Sequence, residues 1–333
     1  MKVALLVMFA VGCGSPHSGT GGDVVFDPDA HLGDTGGGGD DGNTGGDGGV
    51  DGSTIDGPPT PACPNWCAET APAGVTTRLY AVWAIDTSDV FVVGDAGVIL
   101  RRRANAWTQM TSGTVENLRG VWGASSSDVW AVGENGTILR FNGTTWSPVT
   151  GVTTSNINTV WGSGPSDVWM AGPSRVYHYT GAATIGQTTI IGELLSISGT
   201  GPNDIWLTGE NTYTHHYAGS WTTVLPGNST GPDYYAIHAI TTTNVWASTL
   251  GTTLNDTGGS PWAAHATPAL SFQSLYGGAT DLWGAGGTSV GHWNGTAWTS
   301  SAPLNQTQAL WGVHGSGADI WVVGSGATIL HHN

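Results

Sequence analysis

Residues 118–146 read LRGVWGASSSDVWAVGENGTILRFNGTTW. LRGVWG and DVWAVG are short apolar-aromatic runs of the kind that form half-buried strands. Glu134-Asn135-Gly136 and Asn142-Gly143 are tight-turn sequences, because Asn and Gly accept the positive φ that hairpin turns demand. The stretch therefore predicts three strands and the start of a fourth. One such copy has no partner for its apolar faces, whereas copies set side by side bury them.

The rest of the chain supplies those copies. The D-[VI]-W signature and its variants begin at Asp89, Asp128, Asp167, Asp204, Asn244, Asp281 and Asp319, at intervals of 39, 39, 37, 40, 37 and 38 residues. A repeat of four short strands at this period predicts a seven-bladed β-propeller. A solenoid would satisfy the strand pattern equally well, and the termini separate the two. The seventh copy stops at Asn333 after its third strand, while Trp66 precedes the first copy with no repeat of its own. Trp66 lies 17 residues before Trp83, close to the 15 that separate Trp107 from Trp122 and Trp146 from Trp161. The expectation is an all-β, seven-bladed propeller over residues 62–333, closed by an N-terminal strand that removes two exposed sheet edges. Such a domain is expected to be a monomer.

Composition agrees with an all-β chain. The 333 residues contain 54 Gly and 17 Trp, with only 10% charged residues, and no window keeps an amphipathic helical period. A formal charge of −16 excludes a phosphate-binding basic face, so nucleic acid is not an expected partner.

Residues 1–13, MKVALLVMFAVGC, fit an export signal and are too short to span a bilayer. The ending A-V-G-C resembles the bacterial lipobox, which makes Cys13 the candidate lipidation site; the plainer alternative is a signal cut elsewhere. Gly14 follows, so the Asp of inner-membrane retention is absent, pointing to an outer-membrane lipoprotein at the cell surface or in the periplasm. Residues 14–61 hold nine Asp and no Lys or Arg. Such a Gly/Asp-rich segment buries too little apolar surface to offset its chain entropy and is expected to be a disordered tether. Its Asp-Gly pieces match neither EF-hand nor calcium β-roll spacing. As a Gly-rich coil it would reach roughly 40 Å. Cys63 and Cys67 are a disulfide candidate, provided a turn at Pro64-Asn65 brings them together.

Several columns tempt a functional reading. Six charged pairs recur at 11 or 12 residues: Asp89 with Arg101, Asp128 with Arg140, Asp167 with His178, Asp204 with His216, Asp281 with His292, and Asp319 with His331. Copy five has lost both charges together, as Asn244 and Asn255, which is what a partly buried pair would do. These are read as structural pairs inside each copy, with no metal site. The first-strand column Trp83, Trp122, Trp161, Ser198, His238, Tyr276 and His314 varies, and is therefore the column read as carrying a ligand role. The candidate ligand face carries the turns between second and third strands and presents Asp95, Glu134, Arg175, Glu210, Asp233, Tyr234 and Tyr235.

The pattern L-x-x-V-W-G-x-S-x-x-D-V-W-A-V-G-x-x-G-T-I-L-R-F-x-G-T-x-W resembles propeller repeats of predicted bacterial lipoproteins, notably those of myxobacteria. Its layout is also similar to tectonin-repeat lectins, in which V-W-x-V-x-x-x-G-x-I-Y-x-R-x-G-x-x-W recurs. The resemblance implies a binding module for surface glycans or a protein ligand, attached to a membrane only through its lipid and without a cofactor. Nucleophile elbows, glycosidase carboxylates and a sialidase Arg trio are all missing from the sequence. The expected function is thus non-catalytic binding, the alternative being a secreted hydrolase or lyase at the central channel.

Overall fold

The structure is a computed structural model that describes residues 66–182, 185–210, 214–224, 233–258, 261–268 and 270–333. The chain divides between residues 62 and 63, and the described residues all fall in the second part. Cys13, the tether at 14–61 and Cys63 lie outside the described residues, while Cys67 is disulfide-bonded.

Copy two shows how the sequence makes its sheet. Leu118–Ser125, Asp128–Gly133, Ile138–Phe141 and Trp146–Pro148 pair antiparallel in chain order. The second strand is buried at every position after Asp128, because neighbouring sheets cover both of its faces. Its terminal Gly133 sits against the chain that enters the first strand: a Cβ there would lie 2.1 Å from the Asn117 carbonyl oxygen. Next comes the turn, with Asn135 at φ 52° and Gly136 at φ 71°. The repeated V-G-x-x-G is thus a packing requirement followed by a turn requirement.

Copies one, two, five and six are each a four-stranded sheet. The three strands of copy seven gain a fourth from Cys67–Ala68, which pairs antiparallel with Ile329–His332 through Cys67–His331 and Ala68–Leu330. Copies three and four depart from the expectation of separate sheets and share a single six-stranded one. Copy three also turns here: Ser174, at φ 55°, holds the place of Asn135, and Asp167–Tyr179 folds back so that His178 stacks on Trp169 at 3.6 Å. Gly186–Gly201 pairs with Asp167–Tyr179 through its first half and with Asp204–Gly209 through its second.

The core is divided among the junctions between copies. Seven buried apolar clusters each draw on two successive copies, and one of them joins Leu79 and Val92 of the first copy to Trp321 and Val323 of the last. The tryptophan columns explain this. A fourth-strand Trp meets the second-strand aromatic of the preceding copy edge to face, as in Trp146 on Phe91, Trp221 on Trp169 and Trp298 on Trp246. Trp107 of copy one does the same to Trp321 of copy seven at 5.6 Å, and Trp66 does it to Trp283 of copy six, also at 5.6 Å. Each such pair contributes about 0.5–1.5 kcal/mol beyond area burial. Copy three has no fourth-strand Trp; there Tyr179 covers Trp130, with centroids 4.9 Å apart. Radially packed four-stranded sheets of this kind make the described part a β-propeller.

Candidate functional site

The first strands of all seven copies line one cavity of about 310 Å³. Two rings of side chains, three residues apart along these strands, mark its two ends; the rise of a strand separates them by about 10 Å. The mouth ring comprises Tyr80, Arg119, Asn158, Leu195, Gln273 and Trp311, with Tyr235 at the same register position in copy five. The far ring is the column Trp83, Trp122, Trp161, Ser198, His238, Tyr276 and His314.

The far ring is a collar in which every member reaches the next copy. Trp83 Nε1 donates to the Gly123 carbonyl at 3.0 Å. Trp122 and Trp161 lie over Gly162 and Gly199, where a Cβ would come within 2.8 and 2.7 Å of the ring. Ser198 Oγ accepts the Ala239 N–H at 3.0 Å, and His238 Nε2 lies 3.0 Å from the Gly277 carbonyl oxygen. The Tyr276 ring covers Gly315, and His314 Nδ1 accepts the Ala84 N–H at 3.1 Å. The last contact returns from copy seven to copy one. Trp, Ser, His and Tyr here are thus different answers to one packing problem, while Trp83, Trp161, Ser198, His238, Tyr276 and His314 also line the cavity.

Burial, and then the neighbouring His238, push the His314 imidazole down to about 3. Burial also lowers His238, against a weaker opposing effect of the Gly277 carbonyl. Both rings are neutral near pH 7. With Nδ1 of His314 occupied as an acceptor, its proton sits on Nε2, and so acid an imidazole is a poor base. Among the described residues lining the cavity there is no carboxylate.

The charged pairs lie away from the cavity, and none of them lines it. Arg101 donates to both Asp89 oxygens at 2.8 and 2.6 Å, and Arg140 to both Asp128 oxygens at 2.8 and 3.0 Å. His178, His216, His292 and His331 lie 2.6, 2.7, 2.7 and 2.7 Å from Asp167, Asp204, Asp281 and Asp319. Each histidine also stacks on the second-strand Trp of its own copy, closest at Trp169–His178, 3.6 Å. Asn255 Nδ2 donates to Asn244 Oδ1 at 2.8 Å, so copy five keeps the geometry without the charge. Among the described residues no three His, Cys, Asp or Glu side chains converge as a metal-ligand set.

The candidate face sorts into committed and open residues. Its turns lie beside the mouth, because the Asp95 and Glu134 N–H groups donate to the carbonyls of Arg78 and Asn117, each at 2.9 Å. Glu134 pairs with Arg119, which holds its carboxyl below the ordinary value, and it accepts from Asn117 as well. Asp95 accepts the Tyr80 hydroxyl; burial first and this bond second raise the Tyr80 phenol above its usual range. Arg175 and Glu210 are exposed, and Asp233 and Tyr235 are half-buried. Tyr234 is not on the face. It is 3% exposed and packs with Trp206, Ile237 and Trp262, taking the core position that Leu79, Leu118 and Leu310 hold in other copies.

The residues that build the mouth escaped the sequence reading. Arg78 donates to the Tyr80 hydroxyl at 3.1 Å, with its guanidinium 5.4 Å from the Tyr80 ring centre and 5.2 Å from that of Trp311. Arg119 lies over the same Tyr80 at 4.4 Å. Asn158 donates to Glu193 at 2.7 Å. Their one signal was position: each follows or precedes the apolar residue that opens its copy, and no two mouth residues of neighbouring copies are alike.

No family model matches the chain, and no curated protein is similar to it in sequence. Solved structures are similar in fold. YCF48 bound to D1 peptide is 15% identical, with a TM-score of 0.66 over 80% of this chain and 96% of that one. Virginiamycin B lyase from Staphylococcus aureus, in a catalytically inactive form with quinupristin, is 15% identical, with a TM-score of 0.71 over 80% and 99%. The WD40 β-propeller domain of Doa1 is 13% identical, with a TM-score of 0.66 over 80% and 96%. At these identities the likeness is one of fold, and the fold is the β-propeller.

Proposed function

We propose that this chain is an exported, non-catalytic binding module: a closed seven-bladed propeller that seats a protein segment or a surface glycan at the mouth of its channel. Closure is supported by the seven junction clusters, by the collar that runs from copy seven back to copy one, and by the pairing of Cys67–Ala68 with Ile329–His332. The binding reading rests on one observation. The mouth ring varies in every copy and its contacts vary with it, Arg119 over Tyr80, Tyr80 beside Trp311 and Asn158 on Glu193 and the Leu194 carbonyl, above a cavity whose described lining holds no carboxylate. Half-buried side chains of varied chemistry around a cavity are the ones available to a ligand.

The fold neighbours lend support, since one carries a bound peptide. Another is a lyase, which gives the enzymatic alternative its precedent. That alternative would need His238 or His314 as a base, and both are lowered and held by the backbone. Attachment through lipidated Cys13 would place the module on the outer membrane, at the cell surface or in the periplasm.

Glycan and peptide arrays probed with the full-length chain test the binding reading. A Tyr80→Ala/Trp311→Ala variant should lose captured partners while keeping its fold, and retention of all of them would sink the mouth as the site. Cys13→Ser should move the protein from the membrane to the soluble fraction; unchanged fractionation would remove the anchor.

A further inference from the structure

Arg78 sits beside the mouth, where it contacts Tyr80 and Trp311. Residues 63–333 hold seven Arg and no Lys against fifteen Asp and Glu, so cations are scarce in this domain. Arg101, Arg102, Arg103, Arg119 and Arg140 each pair with a carboxylate. Arg78 is exposed and pairs with none among the described residues. Its guanidinium nevertheless has a fixed place, set by the hydrogen bond to Tyr80 and by the rings of Tyr80 and Trp311. A guanidinium stacked on aromatic rings turns its N–H edge outward, and that planar edge matches a carboxylate in bidentate fashion.

Which ligand brings the carboxylate follows from the surroundings. At this corner a guanidinium lies over one face of each ring, Arg119 on Tyr80 and Arg78 on Trp311, which reduces the aromatic surface offered to a sugar ring. Directly below, the walls are small: Ala81, Gly120, Thr159, Ser196, Ser274 and Gly312. The 310 Å³ cavity inside them has Arg119 as its one charged lining residue, and Arg119 is paired with Glu134. The space therefore suits an uncharged group attached close to an anion. A peptide C-terminus has this form, because its carboxylate and its last side chain leave the same carbon. An internal Asp or Glu would carry two chain ends across the mouth and leave the cavity empty.

We propose that Arg78, held on Tyr80 and Trp311, reads the terminal carboxylate of a peptide whose last, uncharged side chain enters the channel. The proposal rests on the mouth being a binding site. The test exposes the immobilised full-length chain to two equimolar pools of N-acetylated tetrapeptides with uncharged C-terminal residues, one as free acids and one as C-terminal amides. The expected result is at least tenfold enrichment of acids over amides, with Arg78→Gln reducing acids to the level of amides at an unchanged melting temperature. Equal capture of both pools by the wild type overturns the carboxylate reading and leaves the binding module standing. Arg78-dependent binding of D-glucuronate without peptide capture overturns the peptide and assigns the corner to acidic sugars. Capture of nothing, together with blank arrays, overturns both.

Discussion

The mouth and the collar belong to the same seven strands, three residues apart, and both vary from copy to copy. Only in the collar does every side chain do the same structural job. Trp83, Ser198, His238 and His314 differ in every chemical respect, yet each contacts the next copy at the same place. Tyr80, Arg119, Asn158 and Trp311 differ just as much, and their contacts differ in kind: Arg119 lies over Tyr80 and pairs with Glu134, Asn158 donates to Glu193, and Trp311 donates to Ser325. Variation in a repeat column is thus a poor sign of a binding site by itself. What distinguishes the two rings is that every collar side chain meets the next copy at one place, whereas in the mouth only some do, as Asn158 does at the Leu194 carbonyl.

The charged pairs give the largest test of that distinction, because they too change type (Arg, His, Asn) while doing one job. Asp89 is 3% exposed and Arg101 8%. Asp89→Ala leaves a buried guanidinium without its partner and should cost about 3–5 kcal/mol in chemical denaturation. Asp281 sits in the same column, but its side chain is 62% exposed. Asp281→Ala should therefore cost at most about 1 kcal/mol. Equal losses at the two positions would mean that burial does not grade the column.

Within the collar, Trp83→Ala removes a ring stacked on His314 at 3.9 Å and a hydrogen bond into copy two. The expected loss is about 3 kcal/mol. A near-neutral result would move Trp83 to the mouth's side of the comparison.

What the sequence made legible follows the range of the interactions. The D-[VI]-W spacing, the Trp66 interval and the Asp-to-His offset are set by strand length and register within a copy, so counting residues recovers them. The collar is a contact between copies, and nothing in one copy's sequence says that His314 meets Ala84. Tyr234 shows the same limit: beside Tyr235 it looked like an exposed aromatic insert, but register puts it in the core column. The joining of copies three and four into one sheet was hidden as well, because it lies in how Gly186–Gly201 passes from the edge of one copy to the first strand of the next.

Protonation sharpens the comparison further. The folded value of His314 lies near 3 and the ordinary value is 6.5. Below pH 6.5 the unfolded chain takes up a proton that the folded collar refuses, so stability falls as pH falls from 6.5 toward 3. The slope from this residue approaches about 1.4 kcal/mol per pH unit once the unfolded imidazole is charged. Denaturation of wild type and His314→Tyr between pH 6.5 and 5 should show a shallower slope in the variant, which keeps a ring of the kind copy six uses. Identical slopes would show that His314 titrates normally and is not enclosed by the collar.

The smallest effect on stability belongs to the mouth, and it is the most telling. Arg78 is exposed and Gln273 half-buried, and among the described residues the Arg78 guanidinium has no carboxylate to strand. Arg78→Gln and Gln273→Ala should each change unfolding free energy by no more than about 0.5 kcal/mol. A collar substitution costs stability because a neighbouring copy has lost its contact. Arg78 and Gln273 lie outside that set of contacts, so the main penalty of these substitutions should appear when a partner is present. Calorimetric unfolding of Arg78→Gln beside its array binding separates the two rings in one comparison: lost binding with retained stability makes the mouth a site, and lost stability makes Arg78 one more structural arginine.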